Sequence, residues 1–187
     1  MSSSSERELP TRWTVLVTGG TGGIGYQTAR ILARRGAKLV ITGRAAEAGE
    51  RAAAAIRRES GQQSVSFLQA DHSTVTGNRL LAEQVRRGFP SLNVLVNNVG
   101  GLSGRRWETT EGIEATLAMN FVGPFTLTYE LLPLLQANAP ARCVNVVSAA
   151  FKMCKGDPFQ DLQSTRRFVS GDAYARAKLL NVLFSLA

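Results

Sequence analysis

The chain has little of what would tie it to a metal, a disulfide scaffold or a membrane. Of its 187 residues, two are cysteines and one is a histidine. Cys143 and Cys154 are too few for a disulfide framework and lack metal-ligand spacing, and His72 alone makes no zinc cluster. Cys143, within the apolar run ARCVNVV, is expected as a small core residue, and Cys154 on a loop. No stretch approaches eighteen consecutive apolar residues, so no transmembrane segment is expected. The opening MSSSSERELPTR is polar and has no apolar h-region. Residues 1–11 are therefore expected to be a flexible tail and not a signal peptide. These absences together favour a reducing, cytoplasmic setting. Like charges never run to five or six, although the formal net charge is +8. Arg30, Arg34, Arg35, Arg57, Arg58, Arg86 and Arg87 are scattered on separate amphipathic stretches with no interleaved aromatics, unlike a base-stacking groove. This argues against nucleic acid and for a phosphate-bearing small molecule.

What is present is a regular alternation. Hydrophobic residues make up 44% of the chain, enough for a sizeable core, and the length suits one domain, placed at 12–187. Short β-branched runs read as strands at 13–19, 38–43, 64–71, 93–100 and 142–148. Helical segments are expected at 24–36, 45–61, 74–88, 113–136 and 172–187, with Gly36 and Gly61 as stop signals. Strands that are almost continuously apolar are buried on both faces, as in a parallel sheet covered by helices. The expected fold class is α/β: a doubly wound parallel sheet in three α/β/α layers, the Rossmann fold. Pro124 and Pro133 fall inside the fourth helix, where each costs about 3 kcal/mol, so a kink is expected there.

The turn TGGTGGIG (18–25) joins the first strand to the first helix. A dinucleotide pyrophosphate needs close access to unpaired N–H groups at a helix N-terminus, and side chains would block it. A glycine motif in this strand–turn–helix position is expected to bind cofactor through Thr18, Gly19, Thr21, Gly23, Ile24 and Gly25. The second strand ends in Thr42-Gly43-Arg44 where an acidic residue would bind a ribose 2′-hydroxyl. A carboxylate would repel a 2′-phosphate and an arginine pairs with it, so NADP(H) is favoured over NAD(H).

Tyr174 and Lys178 stand four apart on the last helix and share one face. A tyrosine near its reference pKa of about 10 is a poor base at neutral pH, and a nearby ammonium favours the phenolate. With these motifs in order, the chain resembles the short-chain dehydrogenase/reductase family from about residue 12 to its end. TGGTGGIG matches TGxxxGxG, NNVG (97–100) stands where the family has NNAG, and YARAK (174–178) matches YxxxK. The resemblance implies an oxidoreductase moving a hydride between nicotinamide and a carbonyl or alcohol. It implies Tyr174 as general acid/base, Lys178 as partner of the tyrosine and of the nicotinamide ribose, and Ser148 as donor to the reacting oxygen. Asn120 would hold a break in the fourth helix and a water leading to Lys178. Asp71 would contact the adenine or cap the next helix, and Asn98 and Gly100 would line the cofactor cleft.

Ser148 and Tyr174 lie 26 residues apart, about twice the usual family separation. The extra stretch FKMCKGDPFQDLQSTRRF resembles the retinol-dehydrogenase-like and WW-domain-oxidoreductase-like members, as does LTYELLPLL. That subgroup points to an apolar substrate such as a retinoid, steroid or lipid. The family fold continues past the Tyr/Lys helix, so the chain is expected to be C-terminally truncated, with the last strands missing. Two alternatives stay open: a catalytically silent nucleotide-binding fragment, and a sugar-nucleotide epimerase of the family's extended branch. A small-molecule carbonyl or alcohol substrate is the expected partner, and a homo-oligomer stays open.

Overall fold

The three central strands form where three apolar residues follow one another, and neighbouring residues in each strand send side chains to opposite faces of the sheet. In this computed structural model, which describes residues 13–186, strand β1 is Thr14–Val17, β2 Lys38–Gly43, β3 Val65–Gln69, β4 Val94–Asn97 and β5 Arg142–Asn145. The tail expected at 1–11 lies outside the described residues. All strands are parallel, in the order β3-β2-β1-β4-β5, with Val17 level with Ile41 on one side and Val96 on the other.

Val15 and Val17 face one core with Leu39, Ile41 and Val96, against helices α1 (Gly23–Arg34) and α2 (Ala46–Ser60). Leu16 and Val40 face a second core with Leu81, Val85, Leu127, Leu131 and Leu135, which come from α3 (Val75–Gly88) and α5 (Gly123–Ala137). The central strands β2, β1 and β4 are thus buried between two helical layers, as their unbroken apolar runs require. On α1 the residues turned to the sheet are Gly25, Ala29 and Ala33, four apart and all small, so this helix packs close.

The fourth helix, expected over 113–136 with a kink at its prolines, is interrupted ahead of both. It starts as α4 (Ala115–Leu117), passes through a π-helical turn at Ala118–Val122 and resumes as α5. The Gly123 N–H reaches back five residues to the Ala118 carbonyl, the mark of one extra residue in the turn. Pro124 is at the start of α5, where its missing N–H is harmless. Pro133 lies inside α5, on its exposed side. The interruption is centred on Asn120 and not on a proline.

Two further expectations are corrected. Strand β5 ends at Asn145, and Ser148 lies beyond it, opening a 3₁₀ helix at Ala149–Met153. Cys143 is exposed, because within the described residues β5 is the edge of the sheet and its outer part has no cover. The last helix, α6, begins at Ser170 and runs to Leu186.

Because every strand is parallel, all five C-terminal ends open on one edge. The chain order reverses between β1 and β4, which leaves a crevice between their outgoing loops, the usual ligand position in such sheets.

Candidate functional site

The loop after β1 enters that crevice as the glycine turn. Thr18 is buried, and its hydroxyl donates to the Val96 carbonyl at 3.3 Å while accepting from the N–H groups of Asn98 (2.9 Å) and Val99 (3.1 Å). It stitches the ends of β1 and β4 together. Asn98 Nδ2 donates to the Thr18 carbonyl at 2.9 Å and to that of Gly19 at 3.4 Å. A Cβ on Gly25 would lie 2.3 Å from the Gly19 oxygen and 2.4 Å from Asn98 Nδ2; this glycine lets α1 pass under the turn. Gly19 and Gly23 have φ of +65° and +53°, which favours glycine. The α1 N-terminus has no side-chain cap and no acidic residue in its first turn. Its N–H groups are the anion-receiving kind.

A cavity of about 400 Å³ runs along this turn. Gly19, Thr21 and Ile24 line it from the β1 side, Arg44 and Asp71 from β2 and β3, and Asn98 and Gly100 from β4. Seven of the sequence-selected residues therefore meet in one cavity, whereas Thr18, Gly23 and Gly25 shape the turn without forming its wall. Arg44 is exposed at the mouth, and Gln69 Nε2 donates to its carbonyl at 2.8 Å. Asp71 Oδ1 accepts from the Ser73 N–H (2.9 Å) and hydroxyl (2.6 Å). Burial tends to raise the Asp71 pKa, but those bonds and the Arg44 charge outweigh it, so the carboxyl lies below its ordinary value. Asp71 does not cap α3; Thr74 does, accepting from the Gly77 N–H at 3.0 Å.

The second group of sequence-selected residues gathers beyond Gly100. Asn120, fully buried in the π turn, donates through Nδ2 to the carbonyls of Gly101 and Thr116, both at 2.7 Å, and accepts at Oδ1 from the Gly101 N–H at 3.2 Å. Lys178 is buried on α6, and its Nζ donates to the Val146 carbonyl at 3.0 Å. A Cβ on Gly100 would sit 2.8 Å from Asn120 Oδ1 and 3.1 Å from Lys178 Nζ, so the three converge. Burial holds the Lys178 pKa below the ordinary lysine value. The same Nζ is 5.7 Å from the ring centre of Tyr174, one helical turn earlier and half-buried. Ser148 Oγ accepts from the Ala150 N–H at 3.2 Å, which leaves its O–H to donate elsewhere. The 3₁₀ helix it opens packs on α6.

Some participants are not evident from sequence. Glu114, buried, accepts from the N–H groups of Thr116 and Leu117, each at 2.8 Å, and so fixes the start of α4. Gln163, from the inserted stretch, accepts from the Glu114 N–H at 2.7 Å and donates to the Gly112 carbonyl at 3.1 Å. The insertion is thus anchored beside the site. His72 also lines the cavity. Among the described residues no cluster of histidine, cysteine or carboxylates could hold a metal, and no helix is long and apolar enough to cross a membrane.

Residues 13–156 match the family model described as short chain dehydrogenase. The chain is 42% identical over 178 residues to human (Homo sapiens) retinol dehydrogenase 12, covering 95% of this chain and 56% of that protein. It is also 42% identical over 177 residues to human dehydrogenase/reductase SDR family member 13, covering 92% and 45%. The chain thus spans about half the length of the curated relatives it matches. Among solved structures it is similar to the Pseudomonas aeruginosa RhlG/NADP active-site complex, with a TM-score of 0.71 and 31% identity over 90% of this chain and 62% of that one. A short-chain dehydrogenase from Sphingobium yanoikuyae in complex with NADPH aligns with a TM-score of 0.74 at 27% identity, covering 93% and 63%.

Proposed function

Since the chain belongs to the short-chain dehydrogenase family of oxidoreductases, we propose that it moves a hydride between a nicotinamide cofactor and the carbonyl or alcohol of a small molecule. One observation carries this reading: the cavity along the open α1 N-terminus leads from Arg44 to Gly100, and Lys178 and Asn120 meet at that end. Two tests of fit favour a dinucleotide. The uncapped N–H groups of α1 suit a pyrophosphate, and Gly25 clears the space the turn needs beneath it.

In this reading the glycine turn holds the phosphates, and Arg44 pairs with a 2′-phosphate, so NADP(H) is preferred. Two of the similar solved structures are complexes with NADP or NADPH, in keeping with that choice. Asp71 faces the adenine end, and Asn98 and Gly100 border the nicotinamide end. When bound, the reduced cofactor supplies the hydride that goes to the carbonyl carbon. Tyr174 gives its phenolic proton to the carbonyl oxygen, and takes the hydroxyl proton in the reverse direction. Ser148 donates a hydrogen bond to the same oxygen as charge develops there. Lys178 holds positive charge beside the phenol and reaches the ribose hydroxyls, while Asn120 fixes the loop at Gly101 that faces it. The substrate class we favour is apolar, retinoid- or lipid-like, because a similar human protein is a retinol dehydrogenase.

The test is direct. NADPH should bind more tightly than NADH, and Arg44→Asp should reverse the order. A panel of apolar aldehydes and ketones should be reduced with NADPH, with turnover nearly abolished in Tyr174→Phe while NADPH binding stays. Dinucleotide binding with no turnover on the panel would instead favour a nucleotide-binding role without catalysis, and Tyr174→Phe with most of its kcat would end the acid/base assignment.

A further inference from the structure

His72 is the chain's one histidine, and the mechanism above gives it no part. It follows Asp71 after β3, is 5% exposed, and borders the cavity. Both ring nitrogens are engaged: Nδ1 lies 2.9 Å from Asn78 Oδ1 and Nε2 lies 2.7 Å from Thr42 Oγ1. Asn78 decides which nitrogen carries the hydrogen. Its Nδ2 already donates to the carbonyls of Thr74 at 2.7 Å and His72 at 3.2 Å, which turns Oδ1 toward the ring as an acceptor. Nδ1 therefore donates, Nε2 is bare, and the Thr42 hydroxyl donates to Nε2.

With its proton committed to the ring, the Thr42 hydroxyl oxygen accepts from the Gly19 N–H at 3.3 Å. The Thr42 carbonyl accepts from the Gly20 N–H at 3.1 Å. Two successive amides of the glycine turn thus hang on Thr42, one through its backbone and one through a hydroxyl that the histidine orients. A line of hydrogen bonds runs from Asn78 on α3, through the imidazole, to Gly19 in its left-handed conformation.

We propose that His72 is a positioning residue for dinucleotide binding: as a neutral imidazole it orients the Thr42 hydroxyl that holds the glycine turn in its phosphate-receiving shape. This rests on the reading of that turn as the cofactor site. Acid disrupts the arrangement. An imidazolium points an N–H at the Thr42 oxygen, so the hydroxyl proton must leave the ring, and the 3.3 Å bond to Gly19 is the longest in the line. Burial keeps the ring's pKa below the ordinary histidine value, against smaller opposing pulls from the Asn78 bond and the Asp71 carboxylate. Asp71 is the charged neighbour acting on the ring, and Arg44 in turn faces Asp71. Thr42 from β2, Asn78 from α3 and Gly123 at the head of α5, which abuts the His72 carbonyl, are uncharged.

The experiment measures dissociation constants of NADPH and NADH for the whole chain between about pH 5 and pH 8. NADH is the deciding probe, because it lacks the 2′-phosphate, whose own second ionisation is near pH 6. In the unmodified protein, affinity for both should fall as pH drops through the lowered pKa of the His72 ring. His72→Leu and Thr42→Val should each weaken binding about tenfold at pH 8 and flatten the NADH profile. His72→Gln, whose Oε1 can accept where Nε2 did, should restore affinity at pH 8 without restoring the acid loss. Folded His72→Leu with unchanged affinity, or a flat NADH profile in the unmodified protein, overturns the proposal and leaves the cofactor site standing. No dinucleotide binding by the folded protein at any pH removes both. If His72→Leu does not fold, Thr42→Val and the unmodified profile decide.

Discussion

Replacing Gly25 with alanine adds one methyl group at the tightest approach in the site. The new Cβ would lie 2.3 Å from the Gly19 carbonyl oxygen and 2.4 Å from Asn98 Nδ2, against a floor of 3.0 Å for real contacts. One neighbour is backbone, and the other is an amide that already donates to Thr18 and Gly19. Neither can yield without moving the turn or giving up a bond. Overpacking of this kind costs about 1–3 kcal/mol. Alanine is the better helix former by up to about 1 kcal/mol, but position 25 is in the first turn of α1, where only part of that gain applies. The net expectation is a loss of about 1–2 kcal/mol, which at this chain length lowers Tm by about 2–8 °C. The matched control is Gly22→Ala: its Cβ would meet nothing within 4 Å, and its backbone is extended at φ −165°. Thermal melts of both variants, with NADPH titrations alongside, separate crowding from any general intolerance of alanine. Gly25→Ala should melt lower and bind more weakly, while Gly22→Ala should keep its Tm. Equal melting temperatures for Gly25→Ala and the unmodified chain would show that the close approach is not a constraint.

Other predictions concern residues that hold the surrounding loops. Glu111 accepts from the N–H groups of Val75 (2.6 Å) and Thr76 (2.9 Å) at the head of α3, so Glu111→Ala should cost about 1 kcal/mol by chemical denaturation. Its pKa is lowered, chiefly by the hydroxyl and amide of Thr76, so that contribution should be present above the ordinary glutamate value. It should vanish as pH falls through the lowered one, and a difference between the two proteins that persists in strong acid would refute this. Asn120→Ala would strip the half-buried carbonyl of Gly101 and the buried one of Thr116 of this side-chain donor and should cost about 1–3 kcal/mol; an unchanged denaturation midpoint would argue against it. Lys178 has a lowered pKa, so between that value and the ordinary lysine value the folded state binds fewer protons than the unfolded one. Stability should therefore rise with pH through this window, and Lys178→Met should reduce the rise.

The glycine turn, the NNVG segment and the YARAK pair were legible because each is a short pattern whose spacing already contains its geometry. So were β1, β2 and β4, through their unbroken apolar runs. The π turn was not readable from residues alone, since AMNFV would suit an ordinary helix equally well. Cys143 was expected inside, but burial on β5 depends on what lies beside the strand and not on its own composition. Thr18, Gly23 and Gly25 were expected to bind cofactor directly, yet they shape the turn while their neighbours line the cavity. The Thr42–His72–Asn78 line joins residues 30 and 6 positions apart, and the Glu111 cap reaches 36 positions back. No local periodicity encodes such partners. Gln163 sits in a stretch without regular pattern, and only its two bonds to the 112–114 segment reveal its purpose.

The π turn at Ala118–Val122 also makes the number of residues in this segment a quantity that cannot drift. Each residue of an α-helix advances the azimuth by about 100°. Deleting one residue between 118 and 122 would restore an ordinary helix and rotate everything after it by that angle. Asn120 could still meet Gly101, or Leu127, Leu131 and Leu135 could still face the sheet, but both could not hold together. Substitutions here can be absorbed one side chain at a time, whereas a single-codon insertion or deletion would force a choice between the site and the core.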